Sequence, residues 1–113
     1  MPVTIYHNPR CTKSRQTLAR LHDRGIEPKV IEYLKEPLDE KTLKQLLKKL
    51  GMKAEQLIRK KDHAALGLPK PESEAEWIAQ MVANPKIIER PIVVVGSQAR
   101  LGRPPESVDE ILP

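Results

Sequence analysis

Val3-Thr4-Ile5-Tyr6, the polar run His7-Asn8-Pro9-Arg10-Cys11-Thr12-Lys13-Ser14-Arg15, and the segment after it carrying Leu18 and Leu21 up to Gly25 decide how this chain folds. The first four residues are rich in β-branched and aromatic side chains and read as a short strand. The polar run reads as a loop leading into a helix, with Leu18 and Leu21 on one face and Gly25 as its stop. Lys29-Val30-Ile31-Glu32-Tyr33, entered through Pro28, is the next strand. Two strands separated by a helix pair in parallel through a right-handed crossover, so the chain opens with a βαβ unit.

Working outward, Asp39 is placed to cap a helix in which Leu43, Leu46, Leu47 and Leu50 recur at i, i+3, i+4 and i+7. Leu38 is placed to staple onto Leu43, and Gly51 to end the helix. A short helical turn is expected at Ala54-Glu55-Gln56-Leu57, then the basic stretch Ile58-Arg59-Lys60-Lys61 and an irregular loop through Pro69 and Pro71. Ser73 and Glu76 form a capping-box pattern, opening a helix that turns Trp77, Ile78, Met81 and Val82 inward and stops before Pro85. Ile92-Val93-Val94-Val95, the turn Gly96-Ser97 and a strand through Ala99 and Leu101 make a hairpin. Pro104 and Pro105 begin a last short helix with Val108, Ile111 and Leu112 on one face.

The chain's 113 residues suit one domain, expected to span 1–113 with a helical insert at about 38–88. A βαβ half joined to a ββα half is the architecture of the thioredoxin superfamily. The expected fold class is therefore α/β, thioredoxin-like, around a mixed four-stranded sheet.

Composition narrows the function. With no Phe, one Trp and two Tyr, the chain has few rings to stack on bases, which argues against single-strand nucleic-acid binding. The formal charge of +5 favours anions without choosing among them. No apolar run reaches the roughly 20 residues of a membrane span, and the start lacks a signal-peptide pattern, so a cytoplasmic protein without a membrane partner is expected. Cys11 is the only cysteine, which excludes an internal disulfide and an all-cysteine metal site. Three scattered histidines, His7, His22 and His63, give no zinc spacing; His22 and His63 read as solvated, and no metal is assigned.

Cys11 carries the chemistry. In thioredoxin-like folds a reactive cysteine lies just after the first strand, at the start of the first helix. There the unpaired N–H groups and the positive helix end stabilise a thiolate and attract an anionic substrate. Arg10, Lys13 and Arg15 add positive charge nearby. Buried filler is the common lot of a lone cysteine, but it seldom has flanks as polar as His7 to Arg15.

The segment Ile5 to Arg15 closely resembles the active-site segment of the glutaredoxin-coupled arsenate reductase family. The resemblance continues through Leu57-Ile58-Arg59-Lys60, Ile88-Glu89-Arg90-Pro91-Ile92-Val93-Val94, Gly102-Arg103-Pro104 and Asp109-Glu110-Ile111-Leu112-Pro113. It implies that Cys11 is the nucleophile and that Arg59, Arg90 and Arg103 bind the oxyanion. Guanidinium suits that task because it is permanently charged and meets oxyanions with two parallel donors. Pro91 resembles the cis-proline that faces the cysteine in these folds. His7, Asn8 and Ser14 are expected to support the loop; Ser14 is a candidate donor to the thiolate, and His7 either lowers the thiol pKa or stays neutral as a scaffold.

The activity implied is reduction of arsenate to arsenite. With a single cysteine in the chain, glutathione is the implied reductant, with no bound cofactor, and glutaredoxin the implied partner that resolves the mixed disulfide. The same frame also serves glutathione-dependent thiol oxidoreductases of other substrate and a regulator that binds RNA polymerase. The regulator commonly carries Cys-x-x-Cys where this chain has Ser14.

Overall fold

The computed structural model describes residues 2–113. These form two compact units, one from the chain up to Glu36 together with Arg90–Pro113, the other from Pro37–Glu89.

The first unit holds β1 (Val3–His7), α1 (Thr12–Asp23) and β2 (Lys29–Glu32), and it is completed by the two C-terminal strands. β1 runs one residue past the expected end, and its alternation buries Val3, Ile5 and His7 on one side. β2 is shorter than expected. Tyr33 lies in the turn after it and is nonetheless buried, while the edge residue Val30 is 41% exposed. The β1–β2 pairing is parallel, with His7 opposite Glu32. The strand order is β2-β1-β3-β4, and the other two pairings are antiparallel, giving the mixed four-stranded sheet expected.

A two-residue turn links β3 (Ile92–Val95) and β4 (Gln98–Leu101), and its Gly96 has φ of +60°, a conformation that favours glycine. The closing helix is a 3-10 segment, Pro105–Ile111, which packs on α1 and β4. Val3, Ile5, Leu21, Val93, Val95, Val108 and Ile111 form the core, with Leu18, Ile26 and Leu112 against it.

The second unit is helical: α2 (Glu40–Leu50), α3 (Lys60–Ala65) and α4 (Glu74–Ala83), with 3-10 turns at Ala54–Leu57 and Pro85–Ile87. Asp39 caps α2 by accepting the Thr42 N–H at 2.7 Å, and Gly51 ends it at φ of +69°. Leu38, Leu43, Leu46 and Leu47 are buried; Leu50 is only partly so. α4 packs on α2 through a buried face of Trp77, Ile78 and Met81, whereas Val82 lies at its margin.

The capping box at α4 is half formed. The Ser73 hydroxyl accepts the Glu76 N–H at 3.2 Å, but the Glu76 carboxylate accepts the N–H of Glu72 instead of that of Ser73. The stretch expected to be irregular contains α3. Its six residues bury none of their own side chains, so no apolar period marked it. No helix among the described residues is long and apolar enough to cross a membrane.

Candidate active site

Cys11 is the N-cap residue of α1, with φ −89° and ψ 124°. Asn8-Pro9-Arg10 makes the turn before it. The Cys11 N–H donates to the Asn8 carbonyl at 3.0 Å, and the Arg10 N–H to the Asn8 side-chain oxygen at 3.0 Å. An asparagine that closes its own turn in this way explains why the loop is short and fixed. The first turn of α1 contains no acidic residue to oppose an anion at its positive end.

Ser14 is fully buried. Its hydroxyl accepts the Asn8 N–H at 3.0 Å and lies 2.7 Å from His7 Nδ1. Burial, the largest influence on His7, lowers its pKa; the facing Glu32 raises it and Arg15 lowers it further, with a net downward shift. The imidazole is therefore held neutral near pH 7, and its Nδ1 and the Ser14 hydroxyl share one hydrogen bond. That hydroxyl is thus occupied, and the Ser14 group that acts on the thiol is its backbone N–H.

Burial is also the largest influence on Cys11 and pushes its pKa up. Hydrogen bonds from the Ser14 backbone N–H and the Arg90 side chain, the charge of Arg103 and the Lys13 N–H together outweigh it, so the thiol lies below its ordinary value. Arg103 Nη2 is 3.6 Å from the sulfur. Its Nε–H donates to the Arg90 carbonyl at 2.8 Å, which fixes the direction in which the guanidinium points. Arg90 is 6% exposed, and Pro91 is buried beside it. The Arg90-Pro91 peptide is cis, and so is Arg103-Pro104.

Of the flanking cations, Arg15 bonds the Pro9 carbonyl at 2.9 Å and Thr12 Oγ1 at 3.3 Å, while Arg10 and Lys13 are exposed. The structure thus brings Cys11, Arg90, Arg103, His7, Asn8 and Ser14 together in the first unit. Arg59 belongs to the second unit. It is the N-cap residue of α3, and its Nε lies 3.3 Å from Asp62 and 3.9 Å from Glu89.

His63 departs from the solvated reading. It is partly buried, with Nε2 2.8 Å from the Gln80 side-chain oxygen and its ring 5.3 Å from that of Trp77. His22 is exposed, 3.8 Å from Glu27. Among the described residues no group of His, Cys, Asp or Glu side chains could hold a metal ion. The amides that act on the thiol, those of Lys13 and Ser14, are the helix-start N–H groups the sequence implies without naming, because a backbone amide leaves no mark in residue identity; Gly102 stands in the sequence ahead of Arg103-Pro104, but residue type alone gives it no role.

The family model described as "ArsC family" matches residues 6–111. The chain belongs to the ArsC family. Among its relatives in this family, the uncharacterized protein YfgD of Escherichia coli K12 is 53% identical, over 97% of this chain and 96% of its own. The arsenate reductase of Haemophilus influenzae is 44% identical, over 99% of this chain and all of its own. The solved structure of the arsenate reductase from Vibrio cholerae superposes with a TM-score of 0.89 at 46% identity, covering 99% of this chain and 98% of its own. The fold is that of the ArsC proteins, a thioredoxin-like α/β fold.

Proposed function

We propose that this ArsC-family protein reduces arsenate to arsenite, with Cys11 as nucleophile and glutathione and glutaredoxin as the reducing system. The observation that carries the reading is the Cys11 sulfur at a helix start, with the Arg90 and Arg103 side chains both acting on it. A depressed thiol pKa supplies the nucleophile, and the same positive charge offsets repulsion between thiolate and oxyanion. The names of the Haemophilus and Vibrio relatives support arsenate as the oxyanion.

In the first step the Cys11 thiolate attacks arsenic(V) and a hydroxyl leaves as water after taking a proton, forming an S–As bond. Arg90 and Arg103 hold the oxygens and their charge; Arg59 is proposed as the third guanidinium on the family resemblance alone. A glutathione thiol then attacks the Cys11 sulfur. The S–As electron pair stays with arsenic, which leaves as arsenite, and Cys11 and glutathione are left as a mixed disulfide. Glutaredoxin takes the glutathionyl group and returns the Cys11 thiolate, so two thiols are oxidised for each arsenate reduced. His7, Asn8 and Ser14 hold the loop, and Pro91 packs beside Arg90.

The test is arsenate-dependent NADPH oxidation coupled through glutathione, glutaredoxin and glutathione reductase. Wild type is expected to turn over and Cys11→Ser to lose all arsenate-dependent rate, with Arg59→Ala, Arg90→Ala and Arg103→Ala each impaired. A folded wild type with a reactive Cys11 and no arsenate-dependent rate would overturn the proposal.

A further inference from the structure

Arg103 reaches the sulfur from a segment more than ninety positions away in sequence, so something must fix that segment against α1. Two features do so, one on each side of Arg103-Pro104. On the N-terminal side, the Gly102 N–H donates to the Pro91 carbonyl at 2.9 Å. A Cβ on Gly102 would collide with Thr17 Oγ1 and lie 2.8 Å from Pro91 Cγ. Neither neighbour can yield easily. Thr17 is fully buried and its hydroxyl donates to the Lys13 carbonyl at 2.8 Å, and the proline ring is rigid. Gly102 is therefore needed for close approach, with no demand from its φ.

On the C-terminal side, Asp109 in the 3-10 segment accepts both Nε and Nη2 of Arg20 on α1, with Arg24 Nη2 3.5 Å away. Two parallel bonds between a planar guanidinium and a carboxylate fix orientation as well as distance.

We propose that Gly102 and Asp109 are positioning residues that hold the Arg103 guanidinium on the Cys11 sulfur. Neither touches the sulfur; each acts through the backbone that carries Arg103. The inference rests on the reading of Cys11 as a thiolate nucleophile, but its test needs neither arsenate nor a second protein, so the two can fail separately.

Second-order alkylation of Cys11 by iodoacetamide, followed against pH, reads the thiolate directly. The groups acting on the sulfur are Arg90, Arg103 and the Ser14 and Lys13 amides. Gly102→Ala and Asp109→Asn are expected to move the profile to higher pH and slow alkylation at pH 7 by roughly three- to tenfold, as removing one close positive charge from a half-exposed site should. Asp109→Asn keeps the shape of the side chain and guards against a Gly102→Ala chain that fails to fold. The discriminating measurement combines each with Arg103→Gln. Once Arg103 is displaced, its removal should cost less than twofold further. An unchanged profile in folded Asp109→Asn and Gly102→Ala, or a full Arg103→Gln effect in both backgrounds, would overturn the proposal.

Discussion

Ser14→Ala removes one oxygen from a fully buried site. The side chain is fully buried, and its hydroxyl serves the Asn8 N–H at 3.0 Å and His7 Nδ1 at 2.7 Å, both on residues only 6% exposed. Leaving a buried N–H without an acceptor costs about 1–3 kcal/mol, and the loss of the His7 bond adds to it, so about 2 kcal/mol or more is expected. For a chain of this size that lowers the melting temperature by roughly 8 °C or more and the urea midpoint by about 1 M or more. The measurement is paired urea and thermal unfolding of wild type and variant by circular dichroism. A loss under about 0.5 kcal/mol, typical of a surface substitution, would refute the assignment of the hydroxyl as the anchor of the loop.

The same variant has a signature in pH. The His7 pKa in the fold is lowered below its unfolded value, chiefly by burial. The stability this contributes is complete above the unfolded value of about 6.5 and is lost as pH falls through the folded value, because the unfolded chain takes up the proton first. Donation from the Ser14 hydroxyl to Nδ1 would favour the neutral ring. Without it the folded value moves up towards the ordinary one, and the slope of stability between pH 7 and 5 becomes shallower without vanishing, since burial persists. A slope that steepens would mean that the hydroxyl accepts from Nδ1 and favours the charged ring.

Three further outcomes are expected. Alkylation of Cys11 by iodoacetamide should show a midpoint below the usual thiol value of about 8.5, and Arg90→Leu and Arg103→Gln should each raise it; a wild-type midpoint at or above that value would remove the thiolate from the site. Leu43→Ala, at a fully buried position on α2, should cost about 2–5 kcal/mol by equilibrium unfolding; a cost under 1 kcal/mol would mean that the α2 face is not part of the core. Gly51→Ala should destabilise α2 through its φ of +69°, detectable as a lower urea midpoint, although nothing crowds the position; an unchanged midpoint would show that the helix end relaxes freely.

The fold was legible where burial is one-sided. α2 announced itself because Leu43, Leu46 and Leu47 must share a face and Asp39 and Gly51 mark its ends, and all five do so in the structure. β1 and β3 were legible through their β-branched runs. α3 was not, because a short helix whose own side chains stay out of the core leaves no period to read. Tyr33 misled in the opposite direction: it is aromatic and buried, as a strand residue would be, yet lies in a turn. Ser14 is only a candidate donor to the thiolate in the sequence, because residue type alone cannot reveal that its hydroxyl is engaged by His7 and Asn8.

Proximity of Cys11, Arg90 and Arg103 is a consequence of sheet order. β1 lies between β2 and β3, so the loop leaving the C-terminal end of β1 faces the residues that enter the antiparallel β3. The register puts Tyr6 opposite Ile92, which leaves His7-Asn8 and Arg90-Pro91 as neighbours at the same end of the sheet. β4 pairs Leu101 with Ile92, so Gly102-Arg103 emerges there as well. Three loops distant in sequence are thus delivered to one end of the sheet by two antiparallel registers, and a slip of one residue in either would turn alternate side chains to the other face. The apolar run Ile92-Val93-Val94-Val95 therefore shapes the site as much as the arginines do: by fixing the register in the core, it brings Arg90 and Arg103 to where α1 begins.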